Sequence, residues 1–215
     1  MKDDLVTIIG SSFFEPITVL LESLEKHDKG GVGTIQAGYF VNGFAASICL
    51  LAVVCLESYV MRVRYMNKAT QKQIDKVSVP AYLRNLYSDF PFEQELSEIH
   101  IVRDAIAHNH LWELSYTWAD DHSVVVDSIN KRSTGDDKYQ KLVNTSTTTG
   151  KLRLNVNPIN VGKTDAISVL QTMWKILLFL EEKNRNQCYV SHLGVRYKGK
   201  QTKFGEVLGL PETCT

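Results

Sequence analysis

An apolar run from Phe44 to Leu56, FAASICLLAVVCL, in which Ser47 is the one polar residue, constrains the fold more than any other feature of the sequence. It is shorter than the roughly 20 residues that a helix needs to cross a bilayer. Asn42 and Gly43 lie just before it, and Glu57 follows it directly. A helix that is apolar on all sides but too short to span a membrane belongs at the centre of a helical domain or at a subunit interface. We therefore expect a soluble helical protein with no membrane partner.

Apolar residues recur with helical spacing in five segments of the chain. Glycines at 30, 31 and 33 and prolines at 80 and 91 separate the first four segments, because both residue types interrupt helices. Thr164 is a favourable N-cap for the fifth segment. The predicted helices cover residues 13–26, 39–75, 81–87, 92–110 and 165–182.

Between the fourth and fifth predicted helices, the periodicity changes from helical to alternating. Leu114, Tyr116 and Trp118 alternate with other residues, and the same pattern resumes at Val124. We predict a β-hairpin or small three-stranded sheet over about 112–157, inserted into the helical domain. The expected class is mainly α.

The charge of the chain is balanced in sum but segregated along its length. Its 24 Lys+Arg and 24 Asp+Glu give a net charge of zero. A strongly basic composition would be a reason to expect a nucleic-acid partner, and this chain does not have one. From Lys183 to Lys203, however, every charged residue is basic. We therefore predict a helical domain over 1–187 and a short basic C-terminal extension over 188–215.

Cysteine usage and the N-terminal sequence indicate the compartment. Cys49, Cys55, Cys188 and Cys214 form no C-x-x-C pair and no finger-like spacing. The start, MKDDLVTIIGSS, lacks the charged n-region and the small-residue cleavage site of a signal peptide. These features predict a reducing, cytoplasmic location.

The strongest candidate site lies in the segment 98–114, EIHIVRDAIAHNHLWEL. Histidine changes its charge near neutral pH, so His108 suits a general acid or base. Arg103 supplies a fixed charge and a bidentate fork that matches a phosphate group. Asp104 lies one helical turn before His108, where a carboxylate can orient the imidazole. Asn109 and His110 are further candidates for binding phosphate or serving as a second acid.

The run from Arg103 to His108, RDAIAH, resembles the R-x4-6-H motif of the HEPN superfamily. It follows a long apolar segment ending in LESY at 56–59, as in that family. The resemblance covers about residues 13–182, with the β insertion as an extra element. It implies a HEPN-like bundle of four to five helices that forms a homodimer.

Many members of this family resemble metal-independent endoribonucleases of toxin–antitoxin and antiviral systems. The resemblance therefore implies RNA cleavage through attack of the ribose 2′-OH, without a cofactor. It makes His108 the acid or base and Arg103 the phosphate stabiliser, and it implies an antitoxin or defence-system partner protein. Family motifs often carry Asn or another polar residue after the Arg, whereas this chain has Asp104.

Three alternatives stay open at this point. Arg103 and His108 are alternatively solvated side chains at the end of a helix, where their charge suits the helix dipole. The domain is alternatively a catalytically inactive dimerisation or adaptor module that binds RNA or a partner protein. A ridge of His100, Asp104 and His108 is alternatively a metal site, since imidazole and carboxylate suit divalent ions.

Two further groups of residues are candidates for RNA contact or have an ordinary structural role. Basic residues four apart on the long predicted helix suit an RNA backbone or a solvated face. Alternating aromatic residues of the insertion suit base stacking or packing. The basic set is Arg64, Lys68, Lys72 and Lys76, and the aromatic set is Trp112, Tyr116 and Trp118.

Overall fold

The computed structural model describes residues 7–30, 37–108, 112–120, 124–131 and 147–210. The protein is mainly helical, with 60% helix and two small antiparallel sheets, which confirms the predicted class. The helices are α1 (Phe14–His27), α2 (Tyr39–Met66), α3 (Gln71–Lys76), α4 (Val79–Leu86), α5 (Glu93–Ala107), α6 (Lys163–Lys183) and α7 (Phe204–Val207), with 3₁₀ turns at Gly10–Phe13 and Pro158–Asn160. The strands are β1 (Trp112–Trp118), β2 (Val124–Lys131), β3 (Gly194–Tyr197) and β4 (Lys200–Lys203).

The chain divides into two compact units. The first comprises Met1–Val19, Leu51–Ser97 and Val169–Thr215, and the second comprises Leu20–Leu50 and Glu98–Ser168. Each unit is assembled from segments that are distant in sequence.

An aromatic cluster forms the centre of the first unit. The rings of Phe14 and Phe204 lie 4.7 Å apart, and Trp174 lies 5.8 Å from Phe14 and 5.2 Å from Phe204, measured between ring centroids. All three side chains are buried. Gly205 is required beside them, because a Cβ at that position would meet Trp174 Nε1 at 2.9 Å. The C-terminal hairpin therefore ends in a residue that completes the core of the unit.

The second unit combines buried apolar residues with buried carboxylates. Ile99 and Val102 of α5 are fully buried, as are Leu154 and Val156 of the segment before α6. Asp165 accepts the backbone N–H of Gly162 at 2.8 Å and that of Asn155 at 2.8 Å. These bonds attach the segment before α6 to the first turn of that helix.

The β insertion has the predicted hairpin and a weaker third segment. β1 pairs with β2 in antiparallel register from Trp112 opposite Lys131 to Trp118 opposite Val124. The register shifts between Ser115 and Tyr116, which marks a β-bulge. Thr148 and Asn155 form an isolated bridge instead of a third strand among the described residues.

Helix α2 is shorter than predicted, and its end has a clear physical cause. It stops at Met66, and Lys68 has a left-handed backbone with φ of 55°. Thr70 then begins α3 through a capping box, accepting from the Gln73 backbone while Gln73 accepts from the Thr70 N–H. The prediction of one helix as far as Asp75 is therefore wrong.

The start of α6 also differs from the prediction. The helix begins at Lys163, so Thr164 lies inside its first turn instead of capping it. The Asp165 carboxylate binds the Gly162 N–H in its place. A carboxylate also suits the positive end of the helix dipole.

Helix α2 is apolar and long enough to cross a membrane by length and composition, with a mean hydropathy of 2.1. Only 39% of its most apolar 18-residue window is buried in the protein. Ile48, Leu56 and Val60 are buried, whereas Met61 and Tyr65 are 46% and 66% exposed. The helix is therefore covered on one side instead of all round, and the fold is compatible with a soluble protein.

Candidate active site

Helix α5 carries the R-x4-H segment at its C-terminal end. Ile99, Val102 and Ala105 are buried at a spacing of three residues, which fixes one face of the helix against the second unit's core. Arg103 and Asp104 follow the central member of this stripe and are half-buried. His108 comes directly after the last helical residue and is exposed.

The Arg103 guanidinium is held by two neighbours on its own helix. Its Nε lies 2.9 Å from Asp104 Oδ1, and its Nη2 donates to His100 Nδ1 at 3.2 Å. Because a guanidinium only donates, this His100 nitrogen must be unprotonated. The side chain of Arg103 keeps 28% of its surface exposed. The cation is thus oriented and partly neutralised, with a fraction of its surface open to solvent.

His108 is placed differently from Arg103. Its backbone N–H donates to the Asp104 carbonyl at 2.9 Å, so it continues the hydrogen-bond pattern of α5 by one residue. Among the described residues, its imidazole has no hydrogen-bond or ion-pair partner. Asp104 contacts Arg103 and not His108, so the predicted orientation of the imidazole by this carboxylate is not formed here. Asn109 and His110 lie outside the described residues.

The proposed metal ridge is not assembled in the described part of the chain. No group of three or more His, Cys, Asp and Glu side chains there is placed to hold a metal ion. His100 is buried against Arg103, whereas His108 is exposed. The three residues of the ridge therefore occupy different environments.

The predicted basic face is divided by the turn after α2. Arg64 is 5% exposed and donates to the carbonyls of Ile74 and Val77 at 3.2 and 2.6 Å. Its guanidinium also lies 4.9 Å from the centre of the Tyr82 ring. Burial lowers the pKa of Arg64. The placement of Arg64 on an exposed RNA-binding face is therefore wrong, because this side chain closes the end of α3.

The other three basic residues of that set are exposed. Lys68 lies in the turn, and Lys72 and Lys76 lie on α3. They do not form a ridge on one continuous helix, because α2 has ended before the first of them. Their contact with RNA stays a prediction.

The aromatic residues of the first hairpin divide into two groups. Trp112 is half-buried, and its Nε1 donates to the Val156 carbonyl at 3.4 Å, so it packs. Tyr116 and Trp118 are 47% and 66% exposed, with ring centroids 5.9 Å apart. These two rings are available for a contact outside the unit, whereas Trp112 is structural.

His100 contacts Arg103, and the sequence prediction does not include this contact. The prediction places His100 on a ridge with Asp104 and His108, which follow it by four and eight residues. The i,i+3 spacing of His100 and Arg103 is the signal that could have paired them, since such residues are neighbours on a helix.

No family model, no curated protein and no solved structure matches this chain. The resemblance to HEPN domains therefore stays a prediction, based on the R-x4-H spacing and its position at the end of a helix.

Proposed function

We propose that this protein is a metal-independent endoribonuclease of HEPN type. The observation that supports it is the state of the R-x4-H segment at the end of α5. Arg103 is oriented by Asp104 and His100 while part of its surface stays open, and His108 is exposed five residues later. An oriented cation and an accessible imidazole are two of the groups that this chemistry requires.

In the proposed reaction, His108 takes the proton from a ribose 2′-OH. The resulting oxygen attacks the adjacent phosphorus, and the bond to the 5′-oxygen of the next nucleotide breaks. The products are a 2′,3′-cyclic phosphate and a 5′-hydroxyl, whose proton comes from a general acid. Arg103 donates hydrogen bonds to the non-bridging oxygens, where negative charge increases in the transition state. No cofactor takes part.

The proposed reaction requires a homodimer, because one chain does not direct Arg103 and His108 at the same phosphate. Residues five apart on a helix point about 140° from each other, so one copy of α5 does not aim Arg103 and His108 at the same atom. Two copies related by a two-fold axis would bring two Arg and two His around one cleft. Asn109 and His110 are the further candidates for the acid.

The proposed setting is the cytoplasm of a microbe, in antiviral defence or as a toxin. An antitoxin or another component of a defence system would then be the partner protein. Neutrality of the whole chain does not oppose RNA binding, because the local distribution of charge acts on a ligand.

The test is cleavage of a mixed-sequence RNA by the purified full chain in the presence of EDTA. His108→Ala and Arg103→Ala should each lower the cleavage rate by a factor of about 10² to 10⁴. Arg84→Ala is a matched control, because Arg84 is also a helical arginine in an ion pair, with Glu93 at 3.2 Å. Unchanged cleavage in both site variants would refute the proposal.

The second candidate function is a non-catalytic adaptor domain that binds RNA or a protein. The Arg103–Asp104 ion pair favours it, because a carboxylate 2.9 Å from the guanidinium competes with phosphate for that charge. Fluorescence anisotropy with uncleavable 2′-O-methyl RNA separates the two functions. An adaptor gives binding that needs Arg103 but no cleavage of ordinary RNA by the wild-type chain.

A further inference from the structure

A pocket of about 450 Å³ in the first unit has a chemistry that the proposed ribonuclease does not use. Its wall includes two arginines, Arg62 of α2 and Arg185 just after α6, and the rings of Tyr189 and His192. Among the described residues, no carboxylate lines it. The lining therefore has a positive charge with no acidic side chain facing it.

Arg62 is half-buried and is held by a hydrogen bond to the backbone. Its Nη2 donates to the backbone carbonyl of Asn186 at 3.3 Å. Its Nε is buried, and no acceptor in the described part of the chain is within hydrogen-bonding distance of it. A guanidinium that is bonded to one carbonyl and to no carboxylate keeps its full positive charge for a ligand.

Arg185 is held by stacking. Its guanidinium carbon lies 4.1 Å from the centre of the Tyr189 ring, within the range of a cation–π contact. The other neighbour of Tyr189 is His192, whose ring is stacked on it at 4.0 Å with an angle of 26° between the planes. The resulting column of guanidinium, phenol and imidazole restricts the orientation of Arg185. A donor fixed before the ligand arrives loses less entropy on binding.

Glu181 anchors the loop that carries both rings. Its carboxylate accepts the N–H groups of Val190 and Ser191 at 2.7 and 2.8 Å, and the Ser191 hydroxyl at 2.6 Å. Its Oε1 also lies 3.7 Å from Arg185 Nε, at the long end of the range for an ion pair. Burial raises the pKa of Glu181, but the hydrogen bonds outweigh it and lower the pKa overall. The loop is therefore fixed by an ionised group outside the pocket.

We propose that this pocket binds the phosphate group of a small phosphorylated molecule. Two guanidiniums on one wall suit a tetrahedral dianion, since Arg pairs with phosphate through short charge-assisted bonds. The volume is in the range of small-molecule sites and exceeds what inorganic phosphate fills, so the ligand carries an organic part. The exposed His192 ring and the Leu193 side chain form an apolar surface for that part. The proposal is independent of the ribonuclease, because it involves neither Arg103 nor His108.

The test is ³¹P NMR titration of the full chain with three compounds that share a phosphate group. These are inorganic phosphate, ribose 5-phosphate and adenosine 5′-monophosphate, at constant ionic strength with sodium chloride. We expect all three to bind, with the phosphomonoesters tighter than inorganic phosphate. Preference for the adenosine compound over ribose 5-phosphate would assign a planar ring to the His192 side.

Substitutions locate the binding in this pocket. Arg185→Gln should weaken binding of every compound about tenfold or more, because it removes a charge-assisted contact. Arg84→Gln is the matched control, since it also removes a surface guanidinium paired with a glutamate. Tyr189→Leu should weaken binding, but less than Arg185→Gln does, because it removes the ring that orients Arg185 and leaves the charge of the guanidinium in place.

Two results would overturn the proposal. One is absence of binding of all three compounds to the wild-type chain. The other is equal weakening by Arg185→Gln and Arg84→Gln, which would show attraction to total charge instead of this pocket. Arg62→Gln should weaken binding to a similar degree as Arg185→Gln, because each substitution removes one of the two guanidiniums that line the pocket.

Discussion

The buried carboxylate of Glu98 accepts the backbone N–H of Leu152 at 2.7 Å, and its second oxygen accepts the N–H of Lys151 at 2.8 Å. Glu98 is 0% exposed, so these are charge-assisted bonds away from water. They attach the segment before α6 to the helix that carries Arg103. The candidate active site therefore depends on a residue one and a half turns upstream of it.

The first prediction follows from this attachment. Glu98→Gln should lower the free energy of unfolding by about 2–3 kcal/mol, because an amide places one NH₂ donor against a backbone donor. Urea denaturation followed by circular dichroism measures it. Glu93→Gln is the control on the same helix, and it should cost less than about 1 kcal/mol because its ion pair with Arg84 is exposed. Equal losses in the two variants would contradict the role given to Glu98.

The second prediction compares two glycines. A Cβ at Gly10 would meet Tyr59 Cδ2 at 2.8 Å, whereas a Cβ at Gly43 of α2 has nothing within 4 Å. Gly10→Ala should therefore destabilise the protein by about 1–3 kcal/mol, because the buried Tyr59 ring must move. Gly43→Ala should stabilise it by about 0.5–1 kcal/mol, because alanine is the better helix former. Thermal unfolding should show opposite shifts, and two shifts of the same sign would refute this account.

Much of the fold was predictable because burial leaves a periodic pattern in the sequence. Apolar residues at helical spacing after Pro91 predicted α5, and alternation predicted the first hairpin. The end of α2 was missed because Arg64 and Lys68 have a spacing that also fits a continuing helix. The sequence TQKQ from Thr70 is a capping-box pattern, and it was the available signal.

The sites were predictable only where one segment contains them. Arg103 and His108 are close in sequence, so a spacing motif could identify them. Arg62 and Arg185 meet in one pocket only after α2 and α6 have folded, and no local pattern joins them. The burial of Arg64 could not be predicted from the sequence for the same reason. The carbonyls that accept its hydrogen bonds face it only after the chain has turned.

The third prediction concerns the thiols. Cys49, Cys55 and Cys188 are free and at most 1% exposed, and burial raises the pKa of all three, that of Cys55 to about 12. A Cys214→Ser variant limits the count to these residues. We expect it to react with Ellman's reagent over hours when native and within seconds in guanidinium chloride. Rapid reaction of the native variant would show that this part of the core opens readily.

The fourth prediction concerns acid stability. The pKa of Glu181 lies below its ordinary value of 4.5, so the folded chain binds this proton less readily than the unfolded chain. The contribution of the ionised Glu181 carboxylate to stability is therefore complete above about pH 4.5, its ordinary pKa. This contribution is lost as the pH falls through the lowered pKa that Glu181 has in the folded chain. The difference in unfolding free energy between wild type and Glu181→Gln should be constant at pH 5–7 and shrink below pH 4. A difference that is independent of pH would contradict it.

The fifth prediction concerns the ion pair beside the proposed reaction centre. Asp104→Asn removes the carboxylate that lies 2.9 Å from Arg103 and is 45% exposed. RNA affinity should rise about two- to fivefold, which is the effect expected from one exposed ion pair. The slope of log affinity against log salt concentration should become steeper by up to the value for one additional phosphate contact. Anisotropy titrations with 2′-O-methyl RNA at several salt concentrations measure both quantities.

Asp89→Asn is the matched control, because Asp89 forms an ion pair with Lys183 and the substitution changes the net charge equally. If phosphate binds Arg103, only Asp104→Asn alters the salt dependence, because only this substitution releases the cation that contacts RNA. A common increase in affinity for the two variants would show that RNA responds to the net charge of the chain. A change confined to Asp104→Asn would instead place a phosphate of the RNA at the end of α5.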